Sequence, residues 1–151
     1  MTSELLSALS RDATTITFEK PDDELLEREV AEFMTPGCVV ISDAATVADA
    51  SKALLAHRAD AVLVVGARTG LPLGWVTPGG LMGWLGGDRE QSPARDAITE
   101  PVRAIPPDEC VRVALYALSL STTRRLLVRS KPDQTPEGVL TEFDLAIAAR
   151  S

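Results

Sequence analysis

Residues 34–85 of this chain recur at 98–149, at a constant offset of 64 and without a gap. Thr35, Ile41, Val47, Ala50, Ala53, Leu54, Leu63, Val64, Pro72, Gly74, Thr77 and Leu81 return as Thr99, Ile105, Val111, Ala114, Ala117, Leu118, Leu127, Val128, Pro136, Gly138, Thr141 and Leu145. These positions set a backbone: apolar strand centres, small residues on helix faces, and a Gly and a Thr three apart. Two copies of one supersecondary unit generally cover each other, because neither buries its apolar face alone. A cleft between two such halves is a common seat for a small ligand. The 151 residues suffice for one compact domain or for two small repeats sharing a core.

Each repeat reads as β-α-β-β-α. In the first, residues 34–87, a strand is expected at 38–41. Thr46 with Asp49 three later forms a capping box for a helix to about His57. The apolar run 61–65 reads as a buried strand, Arg68-Thr69-Gly70 as a turn, and 73–76 as its hairpin partner. Thr77-Pro78 opens a helix that Gly86-Gly87-Asp88 ends. A polar linker, 88–97, leads to the second repeat, 98–151. There the expected elements are a strand at 102–105, a helix at 109–119, strands at 126–129 and 138–140, and a last helix from Glu142.

Residues 1–33 form an N-terminal helical extension. Leu5, Leu6 and Leu9 suggest a short amphipathic helix, and residues 14–18 are β-prone. Pro21-Asp22-Asp23-Glu24 reads as a second helix start, with acids at the positive end of the dipole. Leu26, Val30, Phe33 and Met34 lie on one helical stripe, which predicts a single helix docked on the repeat core and stopped by Pro36-Gly37.

Composition removes several classes of function. A formal net charge of −7 argues against a general nucleic-acid or acidic-membrane binder. No apolar run approaches the ~20 residues of a spanning helix, and the start lacks the pattern of a signal peptide, so a cytoplasmic protein is expected. Cys38 and Cys110 have no CxxC or CxxH spacing, and with a lone His57 they make no metal set. No Ser/His/Asp or Cys/His set and no Walker-type Gly-Lys-Ser is visible, so the chain carries no positive case for an enzyme.

The element order, the Met34-Thr35-Pro36 opening, the Asp43-Ala44-Ala45-Thr46-Val47 helix start and the G-x-x-T-x-x-D run at Gly138–Asp144 together resemble the CBS (cystathionine β-synthase) domain. Two in tandem make a Bateman module, and the resemblance covers about residues 34–150. It implies an α/β (α+β) fold of two pseudo-twofold-related repeats, often a disc-like homodimer. It also implies a non-catalytic regulatory role: binding AMP, ADP, ATP or another adenosyl ligand in an inter-repeat cleft and altering a protein partner, with no cofactor required.

Carried over residue by residue, the resemblance is asymmetric. Gly138, Thr141 and Asp144 fill the motif of the second repeat, the Asp as acceptor for ribose hydroxyls. The first repeat has Gly74 and Thr77, but Gly80 replaces the acid. Arg124 and Arg125, ahead of the middle strand, are the expected phosphate ligands; the first repeat has Asp60-Ala61 there. Arg103, Ala104 and Ile105 stand at the end of the first strand, where the family lines its pocket, and Ala104 and Val40 replace the usual Thr or Ser. Which cleft the arginines face stays open, since one repeat can reach a ligand held by the other.

Plainer readings stand beside these. Thr141 and Asp144 are also a helix-capping pair. Arg124 and Arg125 could be a solvated surface pair, and Trp75 and Trp84 core or dimer contacts. The rival reading of the whole is a ligand-independent interaction or scaffold module with degenerate clefts.

Overall fold

Val62, Leu63 and Val64 are fully buried, as an apolar run with no polar face requires. In this computed structural model the described residues are 23–120, 124–131 and 136–150. Their strands are β1 (Thr35–Pro36), β2 (Val40–Ser42), β3 (Val62–Val65), β4 (Pro72–Val76), β5 (Ala104–Ile105), β6 (Arg125–Val128) and β7 (Gly138–Thr141). Their helices are α1 (Asp23–Leu26), α2 (Val47–His57), α3 (Pro78–Leu81), α4 (Val111–Leu120) and α5 (Glu142–Ala149). The first repeat runs β2-α2-β3-β4-α3 and the second β5-α4-β6-β7-α5, the expected order twice. In each, the first strand lies parallel to the second and the second antiparallel to the third.

Local chemistry explains the elements. The Thr46 hydroxyl accepts the Asp49 N–H at 3.2 Å while Asp49 accepts the Thr46 N–H at 2.9 Å, so α2 begins in a full capping box. Those bonds hold the Asp49 carboxyl below its usual range, the Thr46 backbone contributing most. The β3–β4 turn passes through Gly70 at φ +69, a conformation glycine adopts without a steric cost. α3 is only four residues long, against eight in α5. Gly79 and Gly80 weaken it, each by roughly 1 kcal/mol relative to Ala within a helix, and the chain passes into a 3₁₀ turn at Met82–Trp84.

The segment ahead of each repeat leaves it and completes the other. β1 pairs antiparallel with β7, Thr35 opposite Val139 and Pro36 opposite Gly138. Reciprocally, Glu100 bridges to Trp75 on β4, whose N–H donates to the Glu100 carbonyl at 2.9 Å. The exchange starts earlier still. The Val30 N–H donates to Glu109 O and the Val111 N–H to Arg28 O, at 2.8 and 2.9 Å. The Ala94 N–H donates to Ala45 O and the Val47 N–H to Ser92 O, both at 2.8 Å, the same two bonds displaced by 64 residues.

Two expectations need correction here. Residues 23–34 are not one helix: α1 stops at Leu26 and only a 3₁₀ turn, Val30–Glu32, follows. The backbone at 28–31 pairs with 107–111 instead, which satisfies its polar groups as well as a helix would. The stripe does dock as expected. Val30 is buried in the core of the second repeat, with Leu26, Phe33 and Met34 packed against it. Nor is the 88–97 linker polar throughout, since Ala94 and Ala97 are buried in the core of the first repeat. The expected features at Leu5–Leu9 and 14–18 lie outside the described residues. A third core of Leu63, Trp75 and Leu127 joins the two sheets.

Close approach of β1 to β7 requires a residue without a side chain. A Cβ on Gly138 would lie 2.5 Å from the Thr35 carbonyl oxygen and 2.8 Å from Met34 Sδ. Gly74 meets Ile98 and the Glu100 carbonyl in the same way. Gly138→Ala is therefore expected to destabilise the fold by about 1–3 kcal/mol, read in urea unfolding as a lower midpoint at unchanged slope. An unchanged midpoint would show that β1 can back away freely.

Candidate functional site

A cleft of about 380 Å³ opens at the seam between the repeats. One wall is the first repeat's leader, Thr35 to Val39; another is the turn from α2 into β3, His57 to Ala61. The second repeat contributes Arg125, Val139 and Thr141, and Trp75 completes it. Arg125 and Thr141 are direct cross-strand partners on β6 and β7, so their side chains share one face of the sheet. At the rim, Arg58 caps α2 in the left-handed conformation, φ 49, which turns the chain sharply into Ala59 and Asp60.

Asp144 is the third residue of α5 and closes a capping box. Its Oδ2 accepts the Thr141 N–H at 2.9 Å and the Thr141 hydroxyl at 3.1 Å. The Thr141 hydroxyl in turn accepts the Asp144 N–H at 3.2 Å. Oδ1 accepts the hydroxyl of Thr35, at 3.1 Å, from the opposite repeat. Asp144 thus meets the cleft through two threonines that line it. In the other half Thr77 caps α3 through the Gly80 N–H at 3.1 Å. A Cβ on Gly80 would lie 2.9 Å from Thr99, so a threonine methyl occupies the place of the missing acid.

Arg125 is engaged on both sides. Its guanidinium lies over the Trp75 ring, 5.7 Å from the centroid. It also faces Glu100, Nη2 to Oε2 at 3.4 Å and Nε to Oε1 at 3.5 Å. Arg124 is exposed, and its backbone N–H donates to Glu100 at 3.5 Å.

The structure therefore brings Thr141, Arg125 and, behind Thr141, Asp144 to one place. Gly138 serves the close approach of β1. Arg103 and Ala104 are exposed and not among the residues lining this cleft. The Ile105 side chain is buried in the core of the second repeat. Thr77 belongs to the opposite half. By the repeat offset Arg103 is the counterpart of Val39 and Arg124 of Asp60. Sequence reasoning missed Thr35, His57 to Ala61 and Glu100. The offset itself was the available signal: a cleft between exchanged leaders must take its walls from both repeats.

Among the described residues no group of three or more His, Cys, Asp or Glu side chains could hold a metal ion, and no helix is long and apolar enough to cross a membrane.

Comparison with known proteins agrees with this geometry. Residues 30–87 match the family model of the CBS domain. The CBS domain of a bacterial CNNM/CorC family Mg²⁺ transporter, solved with ATP, superposes with a TM-score of 0.73 at 24% identity, over 84% of this chain and 90% of that one. CBSX2, solved with AMP, gives 0.65 at 22% identity, over 82% and 96%. An uncharacterised conserved protein from Pyrococcus horikoshii gives 0.68 at 16%, over 83% and 95%. At these identities the likeness shows the fold. No curated protein matches by sequence.

Cys38 lines the cleft, and burial pushes its thiol up to about 11. The thiolate is the reactive form, so at pH 8 iodoacetamide should label Cys38 on the order of a hundredfold more slowly than an unhindered thiol. Timed alkylation read by peptide mass spectrometry, with a short cysteine peptide as reference, checks this. Labelling at the peptide's rate would mean that the segment between β1 and β2 opens readily.

Proposed function

Since this chain is a CBS-domain protein, we propose that it is a non-catalytic regulatory module. It binds an adenine nucleotide or related adenosyl ligand in the inter-repeat cleft and thereby alters a partner protein. The observation that carries this reading is that Thr141 and Arg125 line one cleft whose other walls come from the first repeat, with Asp144 hydrogen-bonded to its lining threonines Thr35 and Thr141. Thr141 stands at the N-terminus of α5, where an anion is favoured. Asp144 Oδ1 holds a single bond, from the exposed Thr35 hydroxyl. A ribose hydroxyl can replace that bond at little cost, since one hydroxyl donor is exchanged for another. Because the cleft is built from both repeats, a ligand within it favours one inter-repeat arrangement over others, which is what a regulatory ligand must do.

A second reading, a ligand-independent interaction module, has one observation in its favour: both Asp144 oxygens already accept hydrogen bonds within the protein. Calorimetry with AMP and ATP on the parent and on Asp144→Ala separates the two. The nucleotide reading expects binding that the variant weakens by about tenfold to a hundredfold. Equal affinity in both would leave the carboxylate a helix cap and nothing more.

We also infer a cytoplasmic homodimer. Ala50, Leu54, Ala114 and Leu118, small and apolar residues that suit close helix packing, are buried in the cores of the single chain. Support comes instead from exposed apolar residues of α4 and α5: Val113, Tyr116 and Leu120, with Phe143 and Ile147. Light scattering at tens of micromolar is expected to give twice the chain mass, and a monomer mass would overturn the dimer.

A further inference from the structure

The ion pair at the cleft has no counterpart in the other half. Arg125 stands where the first repeat has Ala61, and Glu100 where it has Pro36. Both side chains are largely withdrawn from water, 12% and 16% exposed. Glu100 is carried on the exchanged leader, its carbonyl held by the Trp75 N–H at 2.9 Å. Arg125 opens β6 directly opposite Thr141, on the cleft wall. The protein has thus placed a cation beside the anion-favouring end of α5 and then set a carboxylate against it.

We propose that Glu100 is a specificity-determining residue of this cleft, selecting adenosyl ligands of low negative charge over polyphosphates. The proposal rests on the nucleotide reading above and refines it. A phosphate can recruit Arg125 in two ways. If Arg125 leaves Glu100, a carboxylate that is mostly buried loses its cation, and an uncompensated buried charge is costly. If Arg125 stays, the Glu100 charge remains beside the incoming phosphate and repels it. In both cases each phosphate charge contributes less than it would beside an arginine without a carboxylate. The contacts of 3.4–3.5 Å are longer than the usual 2.7–2.9 Å of charge-assisted bonds, so Glu100 acts mainly through its charge. The other ionisable residues lining the cleft do not reverse the balance, since Asp60 accompanies Arg58 and His57.

The test is a charge series, adenosine, AMP and ATP, titrated calorimetrically into the parent and into Glu100→Gln. The glutamine keeps an acceptor oxygen and the shape of the side chain while removing the charge. In the parent the three ligands should bind within about tenfold of one another. In the variant AMP and ATP should tighten by roughly threefold to thirtyfold while adenosine stays within about twofold. A parent that prefers ATP to adenosine by more than about tenfold overturns the proposal, as does a variant that shifts all three ligands equally or none. Should the variant fail to fold by circular dichroism, the parental series decides alone. Failure of all three ligands to bind either protein overturns the nucleotide reading itself, and this proposal with it.

Discussion

The reciprocal exchange of leaders is the constraint on which the rest of this molecule depends. The segment ahead of each repeat supplies part of the other's core, and adds an edge strand to the second repeat and a single bridge, Glu100 to Trp75, to the first. Val30 and Phe33 pack on the second repeat, and Ala94 and Ala97 on the first. Gly138 and Gly74 make the exchange sterically allowed, because a side chain at either would collide with the crossing leader. The main-chain bonds between 28–30 and 109–111 and between 45–47 and 92–94 then fix its register twice over. A cleft at the seam follows directly. Two leaders that cross between two sheets leave a space walled by both repeats, and the start of α5 brings its capping residue Thr141 into that wall.

The chemistry of the cleft lies in departures from the repeat, not in the repeat. Symmetry alone would give two equivalent clefts. Gly80 for Asp144, Ala61 for Arg125, Pro36 for Glu100 and Trp75 for Val139 break it. The last substitution is structural as well as chemical. Trp75 fills the core between the sheets with Leu63 and Leu127, its Nε1 is buried without a hydrogen-bond partner among the described residues, and its ring accepts Arg125 on its face. A large side chain at the centre of the seam therefore positions the cation that the cleft presents.

Among the exposed apolar side chains of the described residues, several share α4 and α5, and others lie at Val40, Leu71, Leu73, Met82 and Leu85. Val113, Tyr116 and Leu120 lie on α4, Phe143 and Ile147 on α5, and Leu55 near the end of α2. The monomer has no use for them in its cores, which are filled by other residues of the same helices, such as Ala114, Leu118 and Leu145. On the proposed reading, a regulatory output passes to a partner through surfaces of this kind.

The sequence alone determined what depends on short range. The offset of 64, the alternation of apolar runs with capped helices, and the Thr46–Asp49 and Thr141–Asp144 boxes all follow from residues a few positions apart. Through the family resemblance it also marked Thr141, Asp144 and the Arg124-Arg125 pair, and the repeat showed Gly80 and Asp60-Ala61 as the departures from the last two. Only the tertiary structure decided what depends on distant partners. Residues 23–34 carry a helical stripe, yet they break at Leu26, since pairing with residues 79 positions later, Val30 with Glu109, satisfies the same main-chain groups. Ala94 and Ala97 sit in a stretch that reads as polar, yet they are core residues. Arg103, Ala104 and Ile105 fell away from the cleft, while Thr35 and Asp60 line it and Glu100 pairs with Arg125 on its wall, because strand register and leader exchange choose which side chains share a face. Local propensity carries no record of that choice.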